Sequence, residues 1–131
     1  LLGWLVMNMV AGFILTVTFQ LAHVVEGVSF PVPSEEGKVE NEWMIHQLKT
    51  TANFAKNSKF ITWFVGGLNF QIEHHLFPNI CHVHYKQISD IVKATSEEYG
   101  IVYNDNKTYF GAVKSHYKML KQLGMQPVLA K

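Results

Sequence analysis

The chain has 131 residues, 48% of them hydrophobic and 16% charged, with a formal net charge of +1. Soluble domains usually carry about one quarter charged residues. The low charge, the apolar content and the single cysteine exclude intrinsic disorder, a disulfide scaffold and a strongly basic nucleic-acid binder, so no nucleic-acid partner is expected. The sequence enters an apolar run at Leu1, and it is expected to be the C-terminal part of a longer protein.

Residues 1–25 contain no Asp, Glu, Lys or Arg, and the first charge is Glu26. This is the length of a membrane span, which needs about 20 apolar residues. No basic segment precedes it, unlike a signal peptide. The competing reading is a buried core helix, a costly way to hide so long an uncharged stretch in a small domain. Gly3 and Gly12 suit a membrane helix, and Trp4 suits an interface. Gln20, His23 and Glu26 follow at spacings of three, along one strip of a helix continuing past His23. An ionisable residue at the end of a membrane helix is a functional candidate; the alternative is an interfacial histidine that meets water.

Pro31, Pro33 and Gly37 predict a loop over 27–38. Trp43, Met44, Gln47, Leu48 and Thr51 recur at helical spacing and predict an amphipathic helix over about 40–57. The segment 60–70, FITWFVGGLNF, is too short to cross a bilayer and reads as an interfacial or protein-buried helix. Ile88, Ile91, Val92 and Thr95 predict the apolar face of the next helix, with Gly100 as its stop. Residues 101–103 read as extended and 104–107 as a turn. Thr108 caps a last helix with Val113, Tyr117, Leu120 and Leu123 on one side and Gly124 as terminator. Residues 81–131 hold seven Lys against four acids, and all eleven basic residues of the chain are Lys. That excess predicts a cytoplasmic C-terminal part. The expected fold class is all-α: a fragment of a polytopic membrane protein, with a transmembrane helix over 1–25 and interfacial and cytoplasmic helices over 26–131.

The most informative stretch is GGLNFQIEHHLFP, residues 66–78. Gln71, His74 and His75 fall at i, i+3 and i+4, which share one helix face. Two imidazoles and an amide oxygen would point the same way, and neutral imidazole is a good ligand for iron, zinc or copper. Glu73 falls off that face but is placed to contact a neighbouring element.

Q-x-x-H-H between these apolar flanks resembles the third histidine box of the membrane fatty acid desaturases, here at 71–75. Gln71 in its first place resembles the front-end subgroup, where FQIEHHLFP is a hallmark string. Q-L-A-H at 20–23 resembles the stretch ending the family's last membrane helix. The segment with Trp43, Gln47, Leu48, Thr50, Thr51 and Asn53 resembles the one preceding the third box. The resemblance covers about residues 15–124, and the tail looks like that of the bacterial members.

The resemblance implies an integral-membrane oxidoreductase of lipid metabolism. It would use O2 and a histidine-ligated di-iron centre, two Fe ions, to insert a cis double bond into an acyl-CoA or acyl-lipid. Electrons would come from cytochrome b5 or a ferredoxin. The implied metal ligands are His23, His74 and His75, with Gln71 acting directly or through a water. Glu26 is a candidate to orient His23 through its second nitrogen. The family's first two histidine boxes do not occur in these residues. The chain alone is therefore expected to be inactive and not to assemble the centre. Sphingolipid desaturases and hydroxylases share the same scaffold. The reading from another class is a non-enzymatic membrane protein with structural or incidental metal-binding histidines.

The remaining candidates read more blandly. His46 is expected at the surface or in packing, His82 and His84 at a helix start, and His116 in solvent. Cys81 is expected to be a buried or inert thiol.

Overall fold

The computed structural model describes residues 1–39 and 41–125. Helix α1 spans Leu2–His23. Its most apolar window has a mean hydropathy of 1.8 and buries nothing against the rest of the chain. Leu2, Trp4 and Phe13 are all largely exposed. A core helix is covered on at least one side, whereas this one presents an apolar surface all round, as a lipid-facing helix does. Only its last turns pack on the protein. Leu21 and Ala22 meet Phe54, Ala55 and Ala112, with Val17, Ile61 and Tyr109 at the edge. Full burial of a side chain such as Leu21 or Phe54 stabilises the fold by about 1.5–3 kcal/mol.

The helix ends where His23 stands. The Val24 N–H closes on the Gln20 carbonyl at 2.9 Å, and Gly27 takes a left-handed φ of 91°. Glu26 thus lies beyond the helix, and the expected continuous strip of Gln20, His23 and Glu26 is broken. The loop predicted over 27–38 is present, with no helix or strand in it.

Helix α2 spans Trp43–Thr50 and does not reach Asn57 as the periodicity predicts. Thr51 is already extended, and strand β1, Asn53–Phe54, pairs in parallel with strand β2, Asp105–Asn106. The reason is competition for backbone groups. The Asn53 N–H donates to the Asn104 carbonyl at 2.9 Å and the Ala55 N–H to the Asn106 carbonyl at 2.8 Å. Two β-branched threonines before the strand favour the same extended course. Apart from this short pair, the described residues form the helical fold expected from sequence. β2 falls in the stretch expected to be a turn.

Helix α3 spans Lys59–Phe64, with the Ser58 hydroxyl accepting from the Ile61 N–H. It is shorter than the 60–70 helix predicted, because Gly66 and Gly67 adopt φ of 60° and 80°. Gly67 also lies against His82, so that an added Cβ would stand 2.7 Å from the His82 Cβ. Helix α4, Gln71–Leu76, carries the histidine box. A short 3-10 turn, His82–His84, leads into helix α5, Tyr85–Glu98.

Helix α6 spans Tyr109–Met125. Thr108 caps it as predicted, its hydroxyl accepting from the Gly111 N–H at 3.0 Å. Gly124 does not terminate it but lies inside it.

The inward face of α5 overlaps the one its apolar periodicity predicts, and that of α6 differs from it. α5 buries Tyr85, Ser89 and Ser96, with Ile88 and Val92 half-buried and Ile91 and Thr95 exposed. α6 buries Ala112 and Ser115, leaving Val113, Tyr117, Leu120 and Leu123 exposed. Small residues let backbones approach closely, and Ser89 and Ser96 satisfy their hydroxyls on carbonyls of their own helix. Ser115 accepts from the Glu26 N–H at 2.9 Å. His116 is half-buried rather than solvated, its Nδ1 donating to the Val24 carbonyl at 2.7 Å. Together these bonds fasten α6 to the end of α1.

Candidate metal centre

Helix α4 is too short to hold itself in place, and its orientation is set by its neighbours. Gln71, Ile72 and Glu73 are buried, while His74 and His75 are half-buried. One turn of helix brings Gln71 Nε2 to 3.2 Å from His75 Nε2. On the other side of the ring, His75 Nδ1 lies 2.7 Å from Gln47 Oε1 on α2. An amide oxygen only accepts, so Nδ1 carries the proton and Nε2 keeps its lone pair. Gln71 then donates to that lone pair through its NH2, which leaves its Oε1 buried without a partner.

His23 arrives from a distant part of the sequence, at the end of α1. Its ring centroid is 5.1 Å from that of His75. Burial, then the neighbouring His23 and His74, push the His75 pKa down to about 4. The ring is neutral at physiological pH, the form that binds metals.

His74 stands beside His75 and also reaches α5. Its ring is 5.9 Å from that of His75, and its Nδ1 lies 3.4 Å from Tyr85 Oη on α5. The structure therefore clusters Gln71, His75 and His23, with His74 at the edge. Among the described residues, no three His, Cys, Asp or Glu side chains are close enough together to hold an ion. The cluster fits a part of a metal centre: neutral imidazoles and one buried, unpartnered amide oxygen, with too few donors to complete one.

The opposite side of α4 is anchored by a carboxylate. Glu73 is fully buried. Its oxygens accept from Asn53 Nδ2 and from Tyr103 Oη, each at 2.7 Å. Asn53 Oδ1 in turn accepts from the Ile72 N–H at 2.9 Å. Lys56 lies over the Tyr103 ring, 4.8 Å from its centroid, and pairs with Asp105 at 3.4 Å. Burial raises the Glu73 pKa against the opposing effect of these donors. The position of Glu73 off the histidine face is legible in sequence; Tyr103, its partner from a segment read only as extended, is not.

Other candidates fall away from the cluster. The Glu26 carboxylate does not orient His23; it pairs with Lys118 at 3.3 Å, and the His23 ring faces the Thr50 backbone instead. His46 Nδ1 is buried with no hydrogen-bond partner. His82 and His84 are exposed in the turn before α5. Cys81 is exposed, not buried.

Comparison with known proteins identifies the family. Residues 1–107 match the family model for fatty acid desaturase. The chain is 46% identical over 125 residues to the sn-1 linoleoyl-lipid 6-desaturase of Synechocystis, covering 95% of this chain and 35% of that protein. It is 44% identical over 118 residues to the acyl-lipid (8-3)-desaturase of Physcomitrium patens, covering 90% and 24%. It is 37% identical over 128 residues to the Delta(5) fatty acid desaturase A of Dictyostelium discoideum, covering 95% and 28%. The chain thus spans between about a quarter and a third of the length of these relatives. No solved structure matches it. The family and the uncovered apolar α1 indicate association with a membrane. The match extends through both the span that ends in His23 and the helix that carries His75, and on that extent the chain belongs to the fatty acid desaturase family.

Proposed function

We propose that this chain is the C-terminal portion of an integral-membrane acyl-lipid desaturase of the front-end type. The observation that carries the reading is the convergence of His23, His75 and the unpartnered Gln71 Oε1 at the foot of an apolar helix. In this reading His23, His74 and His75 are iron ligands, with Gln71 ligating directly or through a water. The remaining donors come from sequence outside these residues. Iron bound there supplies activation of O2 and removal of hydrogen from an unactivated C–H bond. The chain's own contribution is to present neutral imidazoles in fixed orientation beside the membrane.

The names of the Synechocystis and Physcomitrium relatives favour an acyl-lipid over an acyl-CoA as substrate. Electrons are supplied by cytochrome b5 or a ferredoxin. α1 crosses the bilayer, and the lysine excess of residues 81–131 puts the rest on the cytoplasmic side.

The test is lipid analysis of cells expressing the full-length protein, with Gln71, His74 or His75 replaced singly by Ala. After linoleate feeding, mass spectrometry should find a new double bond with the wild type and none with the variants. Desaturation by all three variants would remove the ligand assignment. A hydroxylated product in place of the alkene would move the protein to the hydroxylases.

A further inference from the structure

We propose that Gln47 is a positioning residue for His75, fixing its tautomer and ring plane so that Nε2 is presented as the donor atom. The inference rests on the metal-ligand role proposed for His75 and adds a residue to it. Three observations meet at this point. Gln47 Oε1 is 2.7 Å from His75 Nδ1, the shortest of the contacts to either box histidine. The amide oxygen can only accept, which excludes the tautomer with its proton on Nε2. The atom so freed faces Gln71, and the ring that carries it stands 5.1 Å, centroid to centroid, from that of His23.

The placement of Gln47 is itself constrained. It stands on α2, one residue before the buried Leu48. The chain after α2 runs into β1, where Asn53 grips Glu73 and the Ile72 N–H of the same short helix. The segment 47–53 therefore holds α4 from two sides. Asn53 fixes the backbone and the buried carboxylate, and Gln47 fixes the ring. This gives a physical reason for a glutamine in the segment before the histidine box, where a surface helix would accept many polar residues. A neutral amide holds the imidazole without placing a charge beside it.

The experiment uses the full-length protein purified from membranes, as wild type, Gln47→Leu, Gln47→Met and Gln47→Glu. Leu and Met keep bulk and remove the acceptor; Glu keeps an acceptor oxygen. Iron content after challenge with graded chelator measures affinity, and the ligand-field bands of cobalt(II)-loaded protein report the histidine's orientation. Expected are an affinity lowered about 10–100-fold in Leu and Met, as for other residues that hold a ligating histidine, and altered cobalt bands in both. Gln47→Glu should restore both readouts, which a purely space-filling role would not predict. Wild-type affinity and spectra in Gln47→Leu, or in Gln47→Met should the leucine variant fail to fold, would overturn the proposal. A wild type that retains no iron overturns the metal reading itself, and this inference with it.

Discussion

On one side of α4, Glu73 has donors on both carboxylate oxygens, from Asn53 and Tyr103. On the other side, less than one turn away, Gln71 Oε1 has no partner although it is buried, and the His75 Nε2 lone pair is met by the Gln71 amide N–H. Burying a polar atom without a hydrogen bond costs about 1–3 kcal/mol. Gln71 Oε1 is one of several such atoms among the described residues, and it alone stands beside the box histidines, whereas both oxygens of Glu73 are already met. The same six-residue helix thus separates a finished structural anchor from an open chemical site.

The contrast breaks most visibly at His75. In the full-length protein, His75→Ala should lower iron retention and desaturation by at least about 100-fold, more than loss of a residue that only orients a ligand. Its thermal unfolding without metal should move little. If stability collapsed and iron stayed, the two sides would have exchanged roles. Glu73→Ala should do the reverse in the first instance. It removes an acceptor from both the Asn53 amide and the Tyr103 hydroxyl, which keep only their 2.6 Å bond to each other, and should destabilise the fold by about 2–3 kcal/mol, measured by thermal unfolding in detergent. Tyr103→Phe removes one of the two donors and should cost about 1–2 kcal/mol.

Acid sharpens the same comparison. In metal-free protein the His75 pKa is about 4 when folded against 6.5 as reference. Between those values the unfolded chain binds more protons, so this contribution to stability is full above pH 6.5 and is lost as pH falls towards 4. Glu73 acts in the opposite sense: burial raises its pKa, so its contribution declines as pH rises through that value. Comparing wild type with His75→Gln cancels the glutamate. The wild type should lose melting temperature more steeply below pH 6.5, and equal slopes would show that His75 is not held neutral by its surroundings. The smallest effect belongs to the exposed pair of Glu26 and Lys118. Lys118→Ala should change stability by less than about 1 kcal/mol and leave iron retention as it is; a large loss of iron would return Glu26 to the metal site.

What was legible in the sequence follows the range of the interactions. The pairing of Gln71 with His75 and the exclusion of Glu73 from their face are local consequences of helical pitch, readable from spacing alone. So are the Thr108 cap and the long uncharged α1. Helix lengths are less legible, because α2 ends where Asn53 finds a partner strand about fifty residues away, and no local pattern reveals that. The inward face of α6 is missed, and that of α5 only partly legible, for a related reason. Apolar periodicity marks Ile91 and Tyr117, but contacts within this chain are made by Ser89, Ser96, Ala112 and Ser115, which a hydrophobicity pattern does not single out. Gln47 lay in a recognisable segment, yet its bond to His75 exists only after folding.

The parallel pairing of β1 with β2 also sets an order of events during synthesis. Tyr103 is 30 residues downstream of Glu73, so the histidine-box helix leaves the ribosome well before its anchor does. Until then Glu73 lacks one of its two donors, and the strand that fixes Asn53 has no mate. Synthesis at about 5–20 residues per second separates the two by seconds, whereas helix formation takes about a microsecond or less. The face proposed to bind metal is thus among the last parts of this chain to become rigid, and metal loading should follow the synthesis of β2 rather than precede it.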